Sequence, residues 1–377
     1  MKSNKRIAFI FTTSDYNWNG GVNYFFNLFN SFKKATNEFE IILLTDKVHD
    51  SYLNNIVDEK IVSRIFKKYN IFWIIRLVVK KILKKDFLLE RLCISNNIMI
   101  LSHSGIIGKK SKIKCLPNIF DLQHIFLPNY FDKSEIKKRN RNILNYIKFS
   151  NSIIVSSNTS KFDLIDKFDV IENKIDVLKF ISNINEKNTK NYSDLEKYNL
   201  PSRYFHIPNQ FWQHKNHMVV LESLKYNDEV SIVCTGSIED NRNNDFYSSF
   251  LTILNNYKLY NRFIILGNID YNEMKLIMEK SLAVINPSFY EGWSTSVEEA
   301  LSLKKYLFLS DIPIHREQIS ENVIFFDPND PINLSKILSR FSQSPITVIN
   351  NNDNLNESKK IAYGNQYLKI LNKTIND

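Results

Sequence analysis

The chain is poor in cysteine and glycine. Three cysteines, Cys93, Cys115 and Cys234, stand in 377 residues without paired spacing. That excludes a disulfide framework and a clustered thiolate metal site, and points to a reducing, cytoplasmic setting. None of the eight glycines forms a G-x-G-x-x-G, so a dinucleotide-binding fingerprint is missing. No stretch approaches the ~20 apolar residues needed to cross a bilayer. The run Ile7–Phe11, behind the charged residues 1–6, is too short for a signal-peptide core. Zinc-finger spacing, an RNA-binding aromatic signature and long Lys/Arg runs are all missing, which argues against nucleic acid as a partner. No Asp-x-Asp pair stands at a strand end, so no metal site is expected, and there is no tandem repeat.

What is present is a basic chain with ample apolar material. The net charge is +10, and 43% of the residues are hydrophobic. Two domains of ordinary size fit this length. The charge balance favours an acidic partner such as a phosphorylated substrate or anionic lipid. Short apolar runs alternate with helical periodicity. Strands are expected at residues 6–12, 39–45, 98–101, 113–120, 151–156 and 175–180, then at 204–207, 230–235, 262–267 and 282–285. Helices are expected between them, including one at residues 133–149 and one at 271–280. Such alternation predicts α/β, doubly wound domains. Residues 183–199 are rich in Asn, Lys and Glu without an apolar period and read as a linker. Residues 50–85 read as mostly helical. Within them, residues 71–85 are both basic and apolar. One face packed into the core is the favoured reading, and contact with an anionic membrane surface stays open.

Polar residues that follow strands mark where open α/β sheets place ligands. Gly20 and Gly21 follow the first strand and would let backbone amides approach a phosphate. His103 and His124 follow two later strands. Lys215, in the loop after residues 204–207, is a point charge for a diphosphate. The most informative stretch runs from Asn286 to Leu301. A strand is followed by a loop carrying Glu291 and Gly292, then by a helix that carries Glu299. Ser296 and Glu299 have capping-box spacing. A helix N-terminus holds phosphate through free amides and its dipole, and two flanking carboxylates suit sugar and ribose hydroxyls. The plain alternative is that Glu299 caps its helix and Glu291 is an ordinary loop carboxylate.

Glu291 and Glu299, separated by seven residues, with Gly292 and Ala300 behind them, resemble the paired-glutamate motif of the retaining family-4 glycosyltransferases (glycosyl transferases group 1). Residues 307–317 and 325–328 are also similar to that family. The resemblance implies a GT-B fold of two Rossmann-like domains facing a cleft. It also implies a transferase moving a sugar from a UDP- or GDP-linked donor to a glycan or lipid-linked acceptor, in surface polysaccharide (O-antigen or capsule) assembly. An acceptor-binding domain is expected at residues 1–182, a linker at 183–200, a donor-binding domain at 201–355, and a helix crossing back at 356–377. Glu291, His124 and Lys215 are implied as catalytic. Gly20, Gly21, Gln210, Lys215, Gly292, Trp293, Ser294, Thr295 and Glu299 are implied as donor-binding. No cofactor is implied beyond the nucleotide-sugar substrate, and a peripheral contact with the inner face of the plasma membrane stays open. Two departures stand out. Phe120 occupies the position where relatives place a histidine before Asp121, which makes His124 the substitute. Asn209 and Gln210 stand where relatives place an arginine. The rival readings are an epimerase or phosphorylase on the same fold, and a non-catalytic module that binds nucleotide sugar or glycan.

Overall fold

A computed structural model describes residues 5–16, 19–47, 52–182, 192–240, 245–346 and 354–376. The chain divides into two compact units. The first comprises residues 1–122, 137–181 and 353–377, and the second comprises residues 123–136 and 182–352.

The first unit opens with strand β1 (Lys5–Ile10), the short helix α1 (Thr13–Tyr16) and helix α2 (Asn19–Ala35). Strands β2 (Phe39–Thr45) and β3 (Glu59–Val62), helices α3 (Ile71–Leu83) and α4 (Phe87–Ser95), and strand β4 (Ile98–Ser102) follow. Strand β5 (Lys114–Leu116) completes a parallel sheet in the order β3-β2-β1-β4-β5. Because a parallel sheet is covered on both faces, β2 buries Phe39 and every residue from Ile41 to Thr45. Residues 50–85 differ from the helical expectation, since β3 lies among them and pairs with β2. Residues 113–120 differ as well. Pro117 has no N–H to give a ladder, so the run breaks into β5 and β6 (Asn118–Ile119), which join different sheets. The second of these sheets contains β6, β7 (Ile153–Val155) and β8 (Ile175–Val177). Between these strands lie helices α5 (Gln123–Phe126), α6 (Lys133–Phe149) and α7 (Asn158–Phe168). Ser157 caps α7 by accepting from the Ser160 N–H at 2.9 Å.

Helix α3 overturns the core-packing reading, because none of its residues is buried. The reason is visible in its neighbour. Leu89 and Cys93 of α4 fill the space against Ala8, Ile42, Leu44 and Leu101 that α3 would otherwise have occupied.

The second unit contains β9 (Phe205–Ile207), α8 (His217–Ser223), β10 (Ile232–Cys234), α9 (Asp245–Asn256), β11 (Phe263–Ile265), α10 (Tyr271–Lys280) and β12 (Val284–Asn286). It continues with α11 (Thr295–Ser302), β13 (Leu307–Ser310), α12 (Pro313–Gln318), β14 (Val323–Phe326) and α13 (Pro331–Gln343). Its sheet is parallel, in the order β11-β10-β9-β12-β13-β14. Both main sheets thus reverse direction beside their first strand, which is the doubly wound order. Phe205, Phe211, Phe250, Phe263, Phe308 and Phe341 build the core on one face. Met278, Val297, Ala300 and Leu309 build it on the other. Residues 183–191 of the stretch read as linker lie outside the described residues. Residues 192–198 form a 3₁₀ helix whose Leu195 is buried against Tyr204, Val233 and Leu276.

The last helix, α14 (Asn354–Asn376), belongs to the first unit and packs on α2. Gly364 allows the approach. A Cβ there would run into the Ser31 carbonyl and lie 2.9 Å from the Ala35 Cβ. Tyr367 is fully buried, edge-on to Phe32, and its hydroxyl donates to Ser102 Oγ at 2.8 Å.

Candidate functional site

Ligands bind open α/β sheets beyond the carboxyl ends of the two strands where winding reverses. In the second unit these are β9 and β12, which are neighbours. The chain leaving β9 carries Asn209 and Gln210 and reaches Lys215 at the end of a 3₁₀ turn, Gln213–Lys215. The chain leaving β12 carries Ser288 and Glu291 and enters α11. The Phe289 N–H donates to the His214 carbonyl at 2.8 Å, which ties the two loops together. Gly236, at φ +132°, lies under them. Its missing Cβ would sit 2.7 Å from the Asn209 carbonyl carbon and oxygen, so only glycine lets the β10 loop close against the β9 loop.

Asn286 is the hub. It is fully buried, and its Nδ2 donates to Ser294 Oγ at 2.7 Å and Ser296 Oγ at 3.2 Å, while Glu291 Oε1 is farther at 3.5 Å. Two amide hydrogens serve the two nearer hydroxyls best. Its Oδ1 accepts from the Ser288 N–H and from Asn209 Nδ2, both at 3.3 Å, and lies 2.7 Å from Ser288 Oγ. Ser296 Oγ in turn donates to Asn209 Oδ1 at 3.1 Å. This network joins both loops to the start of α11.

Glu291 is buried with Lys215 Nζ at 2.5 Å and Ser288 Oγ at 2.7 Å, both on Oε1. Burial alone would raise its proton affinity. The Lys215 charge and hydrogen bond, helped by Ser288, outweigh that and hold the carboxyl below the ordinary glutamate range. Glu291 is therefore an ionised buried partner of a lysine, not an ordinary loop carboxylate.

Glu299 is equally buried but has no cation beside it among the described residues. It accepts one hydrogen bond, from the Tyr271 hydroxyl at 3.0 Å. Burial lifts its pKa from 4.5 to about 7, and the Tyr271 bond only partly opposes this. The capping-box expectation is overturned. The N-cap residue is Ser294, whose side chain makes no cap bond because its hydroxyl serves Asn286. Ser296 is spent on Asn209, and Glu298 supplies the acidic group of the first turn. The Ser294 N–H meets Gln318 Oε1 at 3.3 Å, and Gln318 Nε2 donates to the Ser294 carbonyl and to Glu298. Ser294 thus gives no side-chain cap to the amides that follow at the positive end of the helix dipole. Thr295, the first helical residue, is exposed there.

The second unit therefore brings together Lys215, Glu291, Gly292, Trp293, Ser294, Thr295 and Glu299. Gln210 is half-buried beside Gly236. His124 is buried in α5, edge-on to Phe131. Residues 123–136 belong to the second unit, and Phe126 stacks on Tyr290, 5.2 Å away and next to Glu291. Gly20 and Gly21 lie in the first unit, where they form the first turn of α2 instead of the loop before it. His103 has a structural place. Its Nε2 pairs with the Tyr24 hydroxyl and its Nδ1 with Ser102 Oγ, both at 2.8 Å, and burial drives its pKa down to about 3. Sequence reading missed Tyr271, Asn286, Ser288 and His315. The His315 ring is fully buried. Its Nδ1 contacts the Ser310 carbonyl at 2.9 Å, and its Nε2 has no hydrogen-bond partner among the described residues. A usable signal existed for two of these four. Asn286 and Ser288 are polar residues at the end of an apolar strand.

Residues 190–361 match the family described as glycosyl transferases group 1. An O-antigen chain mannosyltransferase of Salmonella typhimurium, RfbU, is 24% identical over 227 residues, which are 59% of this chain and 60% of the relative. The match thus spans less than two thirds of that protein. The fold is shared with the Anabaena protein HepE, solved with UDP and glucose, at a TM-score of 0.72 and 14% identity over 98% of this chain and 100% of that one. It is also shared with a glycosyltransferase from Rickettsia africae, at a TM-score of 0.63 and 18% identity over 99% and 96%.

Proposed function

We propose that this chain, which carries a glycosyl transferases group 1 domain over residues 190–361, is a retaining transferase. It moves a sugar from a nucleoside diphosphate sugar to an acceptor hydroxyl in the assembly of a surface polysaccharide. The observation that carries this reading is the uncapped start of α11 flanked by two buried carboxylates of different ionisation, one of them paired with Lys215. A diphosphate fits the amide end of the helix and Lys215, which offset its growing charge as it leaves and take the part that a metal plays in other transferases. The lysine contact of Glu291 falls on Oε1, and its other oxygen is assigned to a hydroxyl of the donor sugar. Glu299 is assigned to the ribose hydroxyls, since a carboxylate in a poorly solvated site binds neutral donors strongly. The bond from the anomeric carbon to the diphosphate breaks, and the acceptor oxygen takes the same face. The acceptor proton leaves with the diphosphate. RfbU is named for mannosyl transfer and HepE was solved with UDP and glucose, so GDP- and UDP-linked hexoses are the donors to test first.

The test is a thermal-shift screen of nucleoside diphosphate sugars, followed by transfer of the stabilising donor's sugar to a lipid-linked glycan. A donor at a hundredfold excess over its dissociation constant stabilises by about 2.7 kcal/mol. Glu291→Ala and Lys215→Ala are expected to abolish transfer. If no nucleotide sugar shifts the transition, the proposal fails. Binding without transfer or hydrolysis would favour a non-catalytic module, a reading fed by Asn209 and Gln210 where relatives carry arginine.

A further inference from the structure

Helix α3 buries none of its 13 residues. Trp73, Arg76 and Val79 are half-buried, and every other residue of the helix is exposed. Ile71, Ile74, Ile75, Val78 and Ile82 recur at the spacing of a single helical stripe, on a face turned away from Trp73 and Arg76. Their exposures run from 43% to 72%. A stripe of this kind ordinarily drives a helix onto the core. Here the helix is held by its polar side instead. The Arg76 guanidinium grips the buried Asp86 carboxylate, with Nε–Oδ1 at 3.0 Å and Nη2–Oδ2 at 2.9 Å, and it stacks over Phe66. Asp86 also receives the Leu89 N–H at the start of α4. The buried ion pair fixes the helix so that its apolar stripe faces outward.

The surroundings are basic. No acidic residue lies between Arg64 and Lys85. Lys81 and Lys84 are exposed at the end of the helix. Lys85 Nζ donates to the Lys110 carbonyl at 3.1 Å, which brings the exposed Lys109 and Lys110 alongside. An apolar stripe rimmed by lysines matches one surface chemistry, an apolar layer beneath anionic headgroups. A second copy of this chain would bring like charges together. At 13 residues the helix is too short to span a bilayer, and no described helix is long and apolar enough to do so.

We infer that α3 docks the protein in the plane of an anionic membrane, with Ile71, Ile74, Ile75, Val78 and Ile82 inserted and Lys81, Lys84, Lys109 and Lys110 on the headgroups. This does not rest on the transferase reading, because docking is measured without donor or acceptor. The full chain is co-sedimented with vesicles of phosphatidylcholine alone, or of equal parts phosphatidylcholine and phosphatidylglycerol. Binding is expected only to the second, and to weaken with salt. Val78→Glu and Ile82→Glu alter exposed positions, so an unchanged thermal melt verifies folding. Each should lower partitioning about tenfold or more. Lys81→Gln and Lys84→Gln should each lower it about fivefold. No binding to either vesicle, or equal binding by Val78→Glu, overturns the proposal. So does a self-associating wild type that Val78→Glu converts to monomer without any vesicle binding.

Discussion

Replacing Glu299 by glutamine should make the protein more stable at neutral pH and less able to hold a donor. The folded carboxyl keeps its proton up to about pH 7, whereas the unfolded one releases it near 4.5. Between those values the folded state binds more protons, so stability falls as pH rises through that window. At pH 7 the group is half ionised, and the penalty integrates to about 3 kcal/mol. Glutamine cannot ionise, and its carbonyl still accepts from Tyr271, 3.0 Å from the carboxylate today. Its amide hydrogens need partners, which returns about 1 kcal/mol of the gain. The expected net gain is about 2 kcal/mol at pH 7, or roughly 4–8 °C in Tm for a unit of this size. Urea unfolding followed by circular dichroism at pH 5 and pH 7.5 measures it. At pH 5 the wild-type penalty shrinks to below about 1 kcal/mol, and the advantage of the variant should vanish there. A gap of the same size at both pH values, or a less stable variant at pH 7.5, would refute the assignment of Glu299 as an uncompensated buried acid. The same variant should show weaker donor affinity, because a neutral amide replaces a charged acceptor.

Lys215→Ala should cost about 3–5 kcal/mol, because it leaves the buried Glu291 without its cation. Adding Glu291→Gln in that background should recover most of the loss, and a double-mutant cycle by urea unfolding would reveal a large coupling; additive losses would contradict the pairing. Gly364→Ala should destabilise the first unit by about 2–3 kcal/mol through overpacking between α2 and α14. Faster hydrogen exchange along α14 should accompany that loss, and an unchanged melt would show that the helices do not depend on this close approach.

Much of the architecture can be read from local pattern. The strands around Phe39–Thr45 and Phe205–Ile207 are short apolar runs with breakers on either side, and α6 spans the residues its periodicity marks. The errors share one origin. Periodicity shows that α3 has an apolar stripe but not which way it faces, because that depends on Arg76 finding Asp86 ten residues on. The spacing of Ser296 and Glu299 fits a capping box. It cannot show that Asn209, 87 residues earlier, claims the serine hydroxyl, or that Tyr271 claims the carboxylate.

The order of residues by itself settles that this is a parallel α/β protein and that two glutamates, the first followed by Gly292 and the second by Ala300, come after the apolar run at residues 282–285. These follow from backbone preference and apolar spacing, which act over a few residues. The ionisation of those glutamates is a tertiary matter. Both carboxylates are buried to the same degree, yet one stands 2.5 Å from a lysine carried by a different loop and the other, among the described residues, meets a phenol and no cation. A charge out of water is governed by whichever group the fold places within a few ångströms, and separation along the chain carries no record of that distance.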